Sequence, residues 1–556
     1  MPLMGSIYVG SSGLQTSSNA LNTSAHNLAN VQTQGYTRQQ ILQGNKFYNT
    51  VGIASVSDMQ VGIGVDYTKC RQVRDVFLDA SYRKENGRSS FYDICAESTG
   101  EIETLLGEME GASFKESMGR LWTSVQELQK DPSSSITQGV FVSTCAQFLE
   151  RAQAVATGLN NYQDNLNSRV NDMVDEVNSI ADKIFSLNNQ INKAEIGIEQ
   201  ANDFRDERNF LLDKLSRLVN TKVVENANGG LEVYCEGTPL LIGETVNHLS
   251  TVENDYGFLD VTWGPLYDDM PLYNNHQTIA SEFNTDIGEL RGLLLARGDH
   301  RANYSDLEYG QDVYNNGGRF ENDVPVANSI VMNAQAEFDR LIHNMATAIN
   351  NVLCDNSETA SGTRSIEMFV RLGSPRYDDT PGESYIPEDY TNSPSDVSTM
   401  YTVFNLKVNP DLIKEPTLNS FIKDDKSVDY EKANKLAEIF AGQGEVRNLN
   451  ITDPTDPNYM QNAAWALNPN LNSKLGYIAF YDSLVGNLAS VGSVYNSIVS
   501  SQQATVDQIE DSRQQVLGVS SEEELQNIIK FQNAYNASSR YINVINEMLE
   551  HIIQSL

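Results

Sequence analysis

Apolar residues recur at helical spacing at both ends of the chain, but the two ends differ in bulk. Near the start, Ile7, Leu14, Leu21 and Leu28 stand seven apart, and their companions Ser11, Ser18 and Ala25 are small. Near the finish, Ile528, Tyr535, Ile542, Leu549 and Leu556 also stand seven apart, here with bulky companions Phe531, Ile545 and Ile552 and with Ser538 as the exception. A thin seam and a thick one suit each other, so the pattern predicts a coiled coil that joins the first and last forty residues.

Further stripes lie inside these ends. Leu166, Val170, Met173, Val177, Ile180, Ile184, Leu187, Ile191, Ala194 and Ile198 alternate strictly by four and three, the spacing of a long coiled-coil helix. Leu484, Leu488, Val491, Tyr495 and Ile498 do the same within 481–515, and this helix stops at Gly518. Ser520 with Glu523, or Ser521 with Glu524, then offers a capping box for the last helix. The two long stripes are expected to bury against each other and against Phe114 to Leu128. Between the helical arms, 221–263 breaks into short β-rich runs punctuated by Gly and Pro, and a helical stripe returns from Val331 to Val352. The acidic, Pro- and Ser-rich run after it reads as a surface insertion.

This gives an α+β multidomain fold whose long discontinuous helical coiled-coil and bundle arms are built from both chain ends, with β-rich insertions. The expected partition is a terminal-helix domain from 1–65 and 516–556, a long-helix bundle from 66–220, 325–354 and 470–515, a β-rich insertion at 221–324 and a variable insertion at 355–469.

Charge removes several functions. Among 556 residues, 74 Asp plus Glu face 39 Lys plus Arg, a formal net charge of −35 that repels phosphate backbones and anionic lipid. Neither nucleic-acid binding nor membrane insertion is expected, and no run of apolar residues is long enough to span a bilayer. Cys70, Cys95, Cys145, Cys235 and Cys354 are widely spaced, without a CxxC pair, and read as small buried hydrophobes. The six histidines are isolated, so no metal site and no cofactor are expected. In "GIGVDY", Gly62 and Gly64 have the first spacing of a nucleotide-binding loop, but Tyr67 stands where the third glycine belongs, and a turn between strands is the better reading. The acidic pair Asp268–Asp269 reads as solvated loop. No catalytic constellation is present, and the chain is not expected to be an enzyme.

One stretch carries more information. A helix of Ser, Asn and Thr ends in Asn27-Leu28-Ala29-Asn30, followed by Thr33 and by Gly35-Tyr36-Thr37-Arg38. This order resembles the N-terminal signature of the axial proteins of the bacterial flagellum. The C-terminal run "EEELQNIIKFQNAYNASSRYINVINEMLEHII" is similar to the paired terminal helix of the same proteins, with Phe531-Gln532-Asn533-Ala534-Tyr535 at its core. "GIGVDYTKCRQVRDVFLDASYR" also resembles their stretch after the N-terminal arm. Among these proteins, "LWTSVQELQKDPSSS", "ANDFRDERNFLLDKLSRLV" and "SSQQATVDQIEDSRQQVLGVSSEEEL" resemble the hook-associated protein 1 family, whose members form the junction between hook and filament. The likeness covers roughly 1–350 and 470–556.

The resemblance implies a structural subunit of the flagellum, exported unfolded by the flagellar type III apparatus and polymerised through its terminal helices into a ring or helical homo-oligomer. It implies as partners other copies of the chain, the hook protein, a second hook–filament junction protein and an export chaperone. Its implied place is extracellular, on the flagellum, after a cytoplasmic stage. The assembly seams are then Ile7, Leu14, Leu21 and Leu28 on one helix and Ile528, Phe531, Tyr535, Ile542, Ile545, Leu549 and Ile552 on the other, the latter also a chaperone stripe. Alternatives are a hook or rod protein, a junction subunit with an adhesive or enzymatic insertion, or an intracellular coiled-coil scaffold.

Overall fold

The computed structural model describes residues 2–53, 58–107, 113–197, 200–226, 229–264, 270–274, 277, 279–308, 329–354, 366–374, 388, 397–419, 421–423, 426–440 and 476–555. In chain order the helices are α1 (Pro2–Ala29), α2 (Val76–Gly107), α3 (Phe114–Lys130), α4 (Ser135–Ala194), α5 (Asn202–Leu218), α6 (Glu289–Arg297), α7 (Tyr304–Glu308), α8 (Ile330–Leu353), α9 (Pro410–Lys414), α10 (Tyr430–Glu438), α11 (Tyr477–Leu517) and α12 (Ser521–Ser555). The strands are β1 (Gln39–Asn45), β2 (Tyr48–Ile53), β3 (Asp58–Gly62), β4 (Val65–Gln72), β5 (Thr221–Glu225), β6 (Leu231–Cys235), β7 (Thr238–Ile242), β8 (Thr245–Val246), β9 (Leu249–Glu253), β10 (Leu259–Trp263), β11 (Phe369–Arg371) and β12 (Leu406–Val408). Long helices at both ends with small sheets between them make the α+β multidomain class expected from the patterning. Leu556, Ile198, Asp268 and Asp269 lie outside the described residues, as does most of 355–469.

The chain divides into two compact units, one of Met1–Arg88, Glu176–His248 and Gln502–Leu556, the other of Ser89–Asp175 and Leu249–Ser501. The first therefore takes in more than 1–65 and 516–556. Here α1 lies along α12, β1 pairs antiparallel with β4 with Gln39 opposite Gln72, and β2 pairs with β3. Ile63 and Gly64 link β3 to β4 without a turn: the Ile63 N–H donates to the Phe47 carbonyl and the Lys46 N–H to the Gly64 carbonyl, so the two hairpin halves run on as one ribbon, a correction to the turn expected there. A four-stranded antiparallel sheet, β5-β6-β7-β8, sits on the α4 and α5 segments of the same unit. Asn188 of α4 donates to the Leu231 carbonyl at 2.9 Å, and the buried Arg208 of α5 donates to Asn188 Oδ1 and the Gly229 carbonyl, both at 2.8 Å. Burial pulls Arg208 down to about 10.

The second unit is built around aromatic packing. Phe114, fully buried at the start of α3, meets Phe148 of α4, Phe338 of α8 and Tyr481 of α11 with centroids 5.4, 5.0 and 5.0 Å apart. Helix α3 starts there because Ser113 accepts the Glu116 N–H, a side-chain cap at 3.2 Å. The α8 stripe Val331, Ala334, Phe338, Leu341 and Met345 is buried throughout. The β9–β10 hairpin belongs to this unit, because Asn167 of α4 accepts the Leu259 N–H and Arg297 of α6 donates to the Leu259 carbonyl. The stretch 221–324 is thus split between the two units by which helix residues satisfy its backbone. Of the 166–191 stripe, every position from Leu166 to Ile191 is buried. Cys95, Cys145, Cys235 and Cys354 are buried and Cys70 is half-buried, all as free thiols, and burial pushes the thiols of Cys95, Cys145 and Cys235 up.

Phe114→Ala removes the ring on which three helices converge. A loss of about 3–5 kcal/mol in unfolding free energy is expected, read from urea denaturation, while a change below about 1 kcal/mol refutes this ring's central place in the core.

Candidate assembly site at the paired chain ends

Helices α1 and α12 run antiparallel, with Gly10 beside Ile542 and Gly13 beside Ser538. Contact is so close that a Cβ on Gly10 would stand 2.6 Å from Ile542 Cγ1, and one on Gly13 2.8 Å from Ser538 Oγ. The face that α1 buries is made of Gly10, Ser17, Ala20, Ser24 and Asn27, with Ser12 and Thr16 beside it. Ile7, Leu14, Leu21 and Leu28 are only half-buried. Small side chains let the backbones approach and the bulk of α12 fill the space between, so the larger α1 residues are displaced to the flanks. On α12, Ile545 is 3% exposed, Ile528, Phe531, Ile542 and Leu549 are half-buried, and Tyr535 and Ile552 are exposed. The small residues at 10, 13, 17, 20 and 24 were visible in the sequence at 3-4 spacing, but a search for apolar bulk passes over them.

The segment that follows α1 holds its own end in place. Asn27, fully buried, accepts hydrogen bonds on Oδ1 from the Gln39 N–H at 3.1 Å and the Tyr36 hydroxyl at 2.8 Å, and donates from Nδ2 to the Gln39 carbonyl at 2.9 Å. It therefore acts as a strand partner for the start of β1. Asn30 donates to the His26 carbonyl and accepts from the Thr33 hydroxyl, closing the helix end. Gly35 takes φ +80°, and a Cβ there would press within 3.3 Å of the Phe210 ring of α5. Leu28 is half-buried and Ala29 exposed. The motif's three polar side chains and its glycine are thus used to turn the chain from helix into strand.

Below this turn the contacts become ionic. Arg38 donates its N–H to the Leu517 carbonyl, and its guanidinium meets Glu524 at 2.9 Å and Glu523 at 3.0 Å in the first turn of α12. Glu524 is 2% exposed, which makes this pair worth more than a surface one. Ser520 accepts the Glu523 N–H at 3.4 Å, so the first of the two expected caps starts α12. Asp206 of α5 accepts the Thr37 N–H at 3.1 Å and Gln72 Nε2 at 2.8 Å. Burial pushes its carboxyl up to about 6 despite the Thr37 hydrogen bonds. Nearby, the buried Arg513 of α11 joins Asp79 of α2 and Asp213 of α5 at 2.9 and 2.8 Å and lies over the Tyr82 ring at 4.2 Å. Arg83 adds a 2.7 Å bond to Asp213, and Arg74 one of 2.9 Å to Asp79. Burial alone would raise Asp79, but Arg74, with Arg513 and Arg83, holds it below the usual carboxylate range. Asp206 and Arg513 were not singled out from the sequence, since partners 134 to 434 residues away give no local signal.

The arrangement joins elements. Among the described residues no three His, Cys, Asp or Glu side chains cluster as a metal site would require, and no helix is long and apolar enough to cross a membrane.

Comparison with known proteins gives the same picture along the chain. It is 26% identical to Flagellar hook-associated protein 1 of Bacillus subtilis (strain 168), over 97% of this chain and 95% of that one, and 22% identical to the Escherichia coli (strain K12) protein of the same name, over 98% of each. The model of the flagellar hook-associated protein FlgK helical domain matches residues 99–369. Over nearly its whole length the chain is similar to flagellar hook-associated protein 1 of these organisms. Two further models match its ends: the flagella basal body rod protein over 7–37 and the flagellar basal body rod FlgEFG protein C-terminal region over 513–555. Those spans are α1 with its turn, and the Arg513 region with α12. The solved structure of the flagellar hook junction protein FlgK from Burkholderia pseudomallei shares the fold, with a TM-score of 0.50 at 12% identity over 79% of this chain and 100% of that one. These similarities support a hook-associated structural component of the flagellum.

The Asp206 carboxyl gives a pH test. It holds its proton more tightly when folded (about 6) than its ordinary value of 3.8. Its stabilising contribution is therefore complete below pH 3.8 and lost as pH rises through 6, at ~1.4 kcal/mol per unit between the two. Subtracting the urea stability of Asp206→Asn from that of the native chain should give a difference that falls between pH 4 and 7; a flat or rising difference contradicts this site.

Proposed function

We propose that the protein is the subunit joining hook to filament, that it leaves the cell through the flagellar type III apparatus, and that it polymerises through α1 and α12 into a ring or helical homo-oligomer on the hook tip. One observation carries the polymerisation. The pair α1–α12 leaves Tyr8, Val544, Met548 and Ile553 open at 67, 47, 53 and 71% exposure. Apolar surface at this density marks a contact to come. A helix rich in Ser, Asn and Thr has little stability alone, which suits a segment that travels unfolded and orders when neighbours cover it. The partners of this reading are further copies of the chain, the hook protein, a second junction protein and, before export, a chaperone on the same apolar face of α12. The final location is outside the cell.

Met548→Glu tests it, because this residue is exposed within one chain and buried only if copies stack. The purified variant should keep the native melting behaviour within about 0.5 kcal/mol. Cells carrying it should release the protein to the medium and bear hooks without filaments. Normal filaments and swimming would overturn the reading. Ile545→Glu is the less selective change, since Ile545 is already buried against α1 within one chain, and a carboxylate there costs several kcal/mol before any assembly.

A further inference from the structure

A cavity of about 490 Å³ lies inside the second unit, within the size range of sites for small organic molecules. Its walls come from α4, the β9–β10 turn, the stretch 300–306, α8 and the stretch 397–404. Leu159 and Phe338 give it an apolar side, and Phe404, 46% exposed, stands at its outer edge. The charged groups that line it are Asp255, His300, Arg301, Asp306 and Asp339. Both cations are already matched. His300 Nδ1 lies 2.7 Å from Asp299, and Arg301 donates to Asp164 at 2.9 Å. Burial alone would lower His300, but Asp299 and Asp306 hold it up at about 10, so it is charged at neutral pH.

Asp255, Asp306 and Asp339 remain to face the cavity, the first of them exposed at its rim. Asp339 accepts the Tyr304 N–H at 3.1 Å and the Val403 N–H at 2.6 Å, yet burial pushes it up to about 6, and Asp306 adds to the rise. Asp306 is 5% exposed. Its Oδ2 accepts the Asn303 N–H at 2.7 Å and lies 3.7 Å from His300 Nε2, whereas its Oδ1, shut away from solvent, meets no hydrogen-bond partner among the described residues. A buried acceptor left open is costly, and more so on a charged group.

We propose that this cavity binds a small organic cation, a primary amine on an apolar body, with the ammonium on Asp306 and the body against Leu159, Phe338 and Phe404. The χ2 torsion of Asp is broad, so a modest turn presents Oδ1 to the cavity that Asp306 lines. An anion would face the three carboxylates, and a neutral apolar ligand would leave Oδ1 unmet. A metal ion fits poorly, because among the described residues no three His, Cys, Asp or Glu side chains converge.

The test titrates the full-length chain with phenethylamine and, separately, with 3-phenylpropionate, which has a similar body and the opposite charge, and reads binding by saturation-transfer NMR. The amine should bind with a Kd on the order of 1 mM, as suits so small a ligand, and the anion roughly tenfold more weakly. Asp306→Asn keeps the shape, removes the charge and should weaken the amine about tenfold. General attraction of cations to a chain of net charge −35 would survive that change, so the variant separates a site from a field. Phe404→Ala, at the exposed edge, should weaken the amine about threefold through lost apolar contact. Circular dichroism checks that each variant is folded, and if Asp306→Asn is not, Phe404→Ala decides. No saturable binding of the amine, equal binding of the anion, or unchanged amine affinity in either folded variant would overturn the site.

Discussion

The approach of α1 to α12 at Gly10 and Gly13 is the constraint on which the ends of this molecule depend. A Cβ at Gly10 would press into Ile542, and one at Gly13 would displace the Ser538 hydroxyl. Burial of Ile545 follows from that closeness, as does the displacement of Ile7, Leu14, Leu21 and Leu28 to the flanks. The pair is consequently a bulky helix seated on a narrow one. Its stabilisation comes mainly from the α12 side, because Gly, Ser and Ala contribute little apolar area. A pair built this way keeps open apolar surface on its outer faces.

A narrow pair of helices also needs a fixed footing. The turn 30–38 supplies it through side chains that substitute for backbone partners: Asn27 completes the start of β1, Asn30 closes α1, and Gly35 lets Phe210 approach. Arg38 then ties this turn to α12 through Glu523 and Glu524. The Arg513, Asp79, Asp213, Arg83 and Arg74 network lies in the same unit. Buried ions of this kind are not a large net source of stability, but each is costly to leave unpaired, so they enforce one arrangement over others. The most strongly ionic part of the unit is thus the footing, whereas α1 carries no Asp, Glu, Lys or Arg.

In the second unit, the helical stripes converge on Phe114 and its ring neighbours, and the same unit also buries the pairs His300–Asp299 and His343–Glu388. Cap by Ser113, packing by Phe148, Phe338 and Tyr481, and burial of α8 on nearly every side describe an ordinary hydrophobic core. The family's helical-domain model covers much of it, over 99–369.

The sequence by itself determined the long helices, because four-three spacing of large apolar residues from Leu166 to Ile191 and from Leu484 to Tyr495 has a single helical solution. It also determined that a Ser–Glu cap starts the last helix, at Ser520 or Ser521, and the flagellar resemblance carried by Asn27 to Tyr36, since these are local patterns. Only the tertiary structure decided which face of α1 is inside. Heptad counting follows bulk, whereas the helix pair selected smallness, and that choice depends on Ile542 and Ser538 more than five hundred residues away. The split of 221–324 between two units was decided there as well, by Asn188 and Arg208 on one side and Asn167 and Arg297 on the other. The same holds for Asp206, whose raised carboxyl arises from burial against Thr37 and Gln72 and leaves no trace in the order of residues around it.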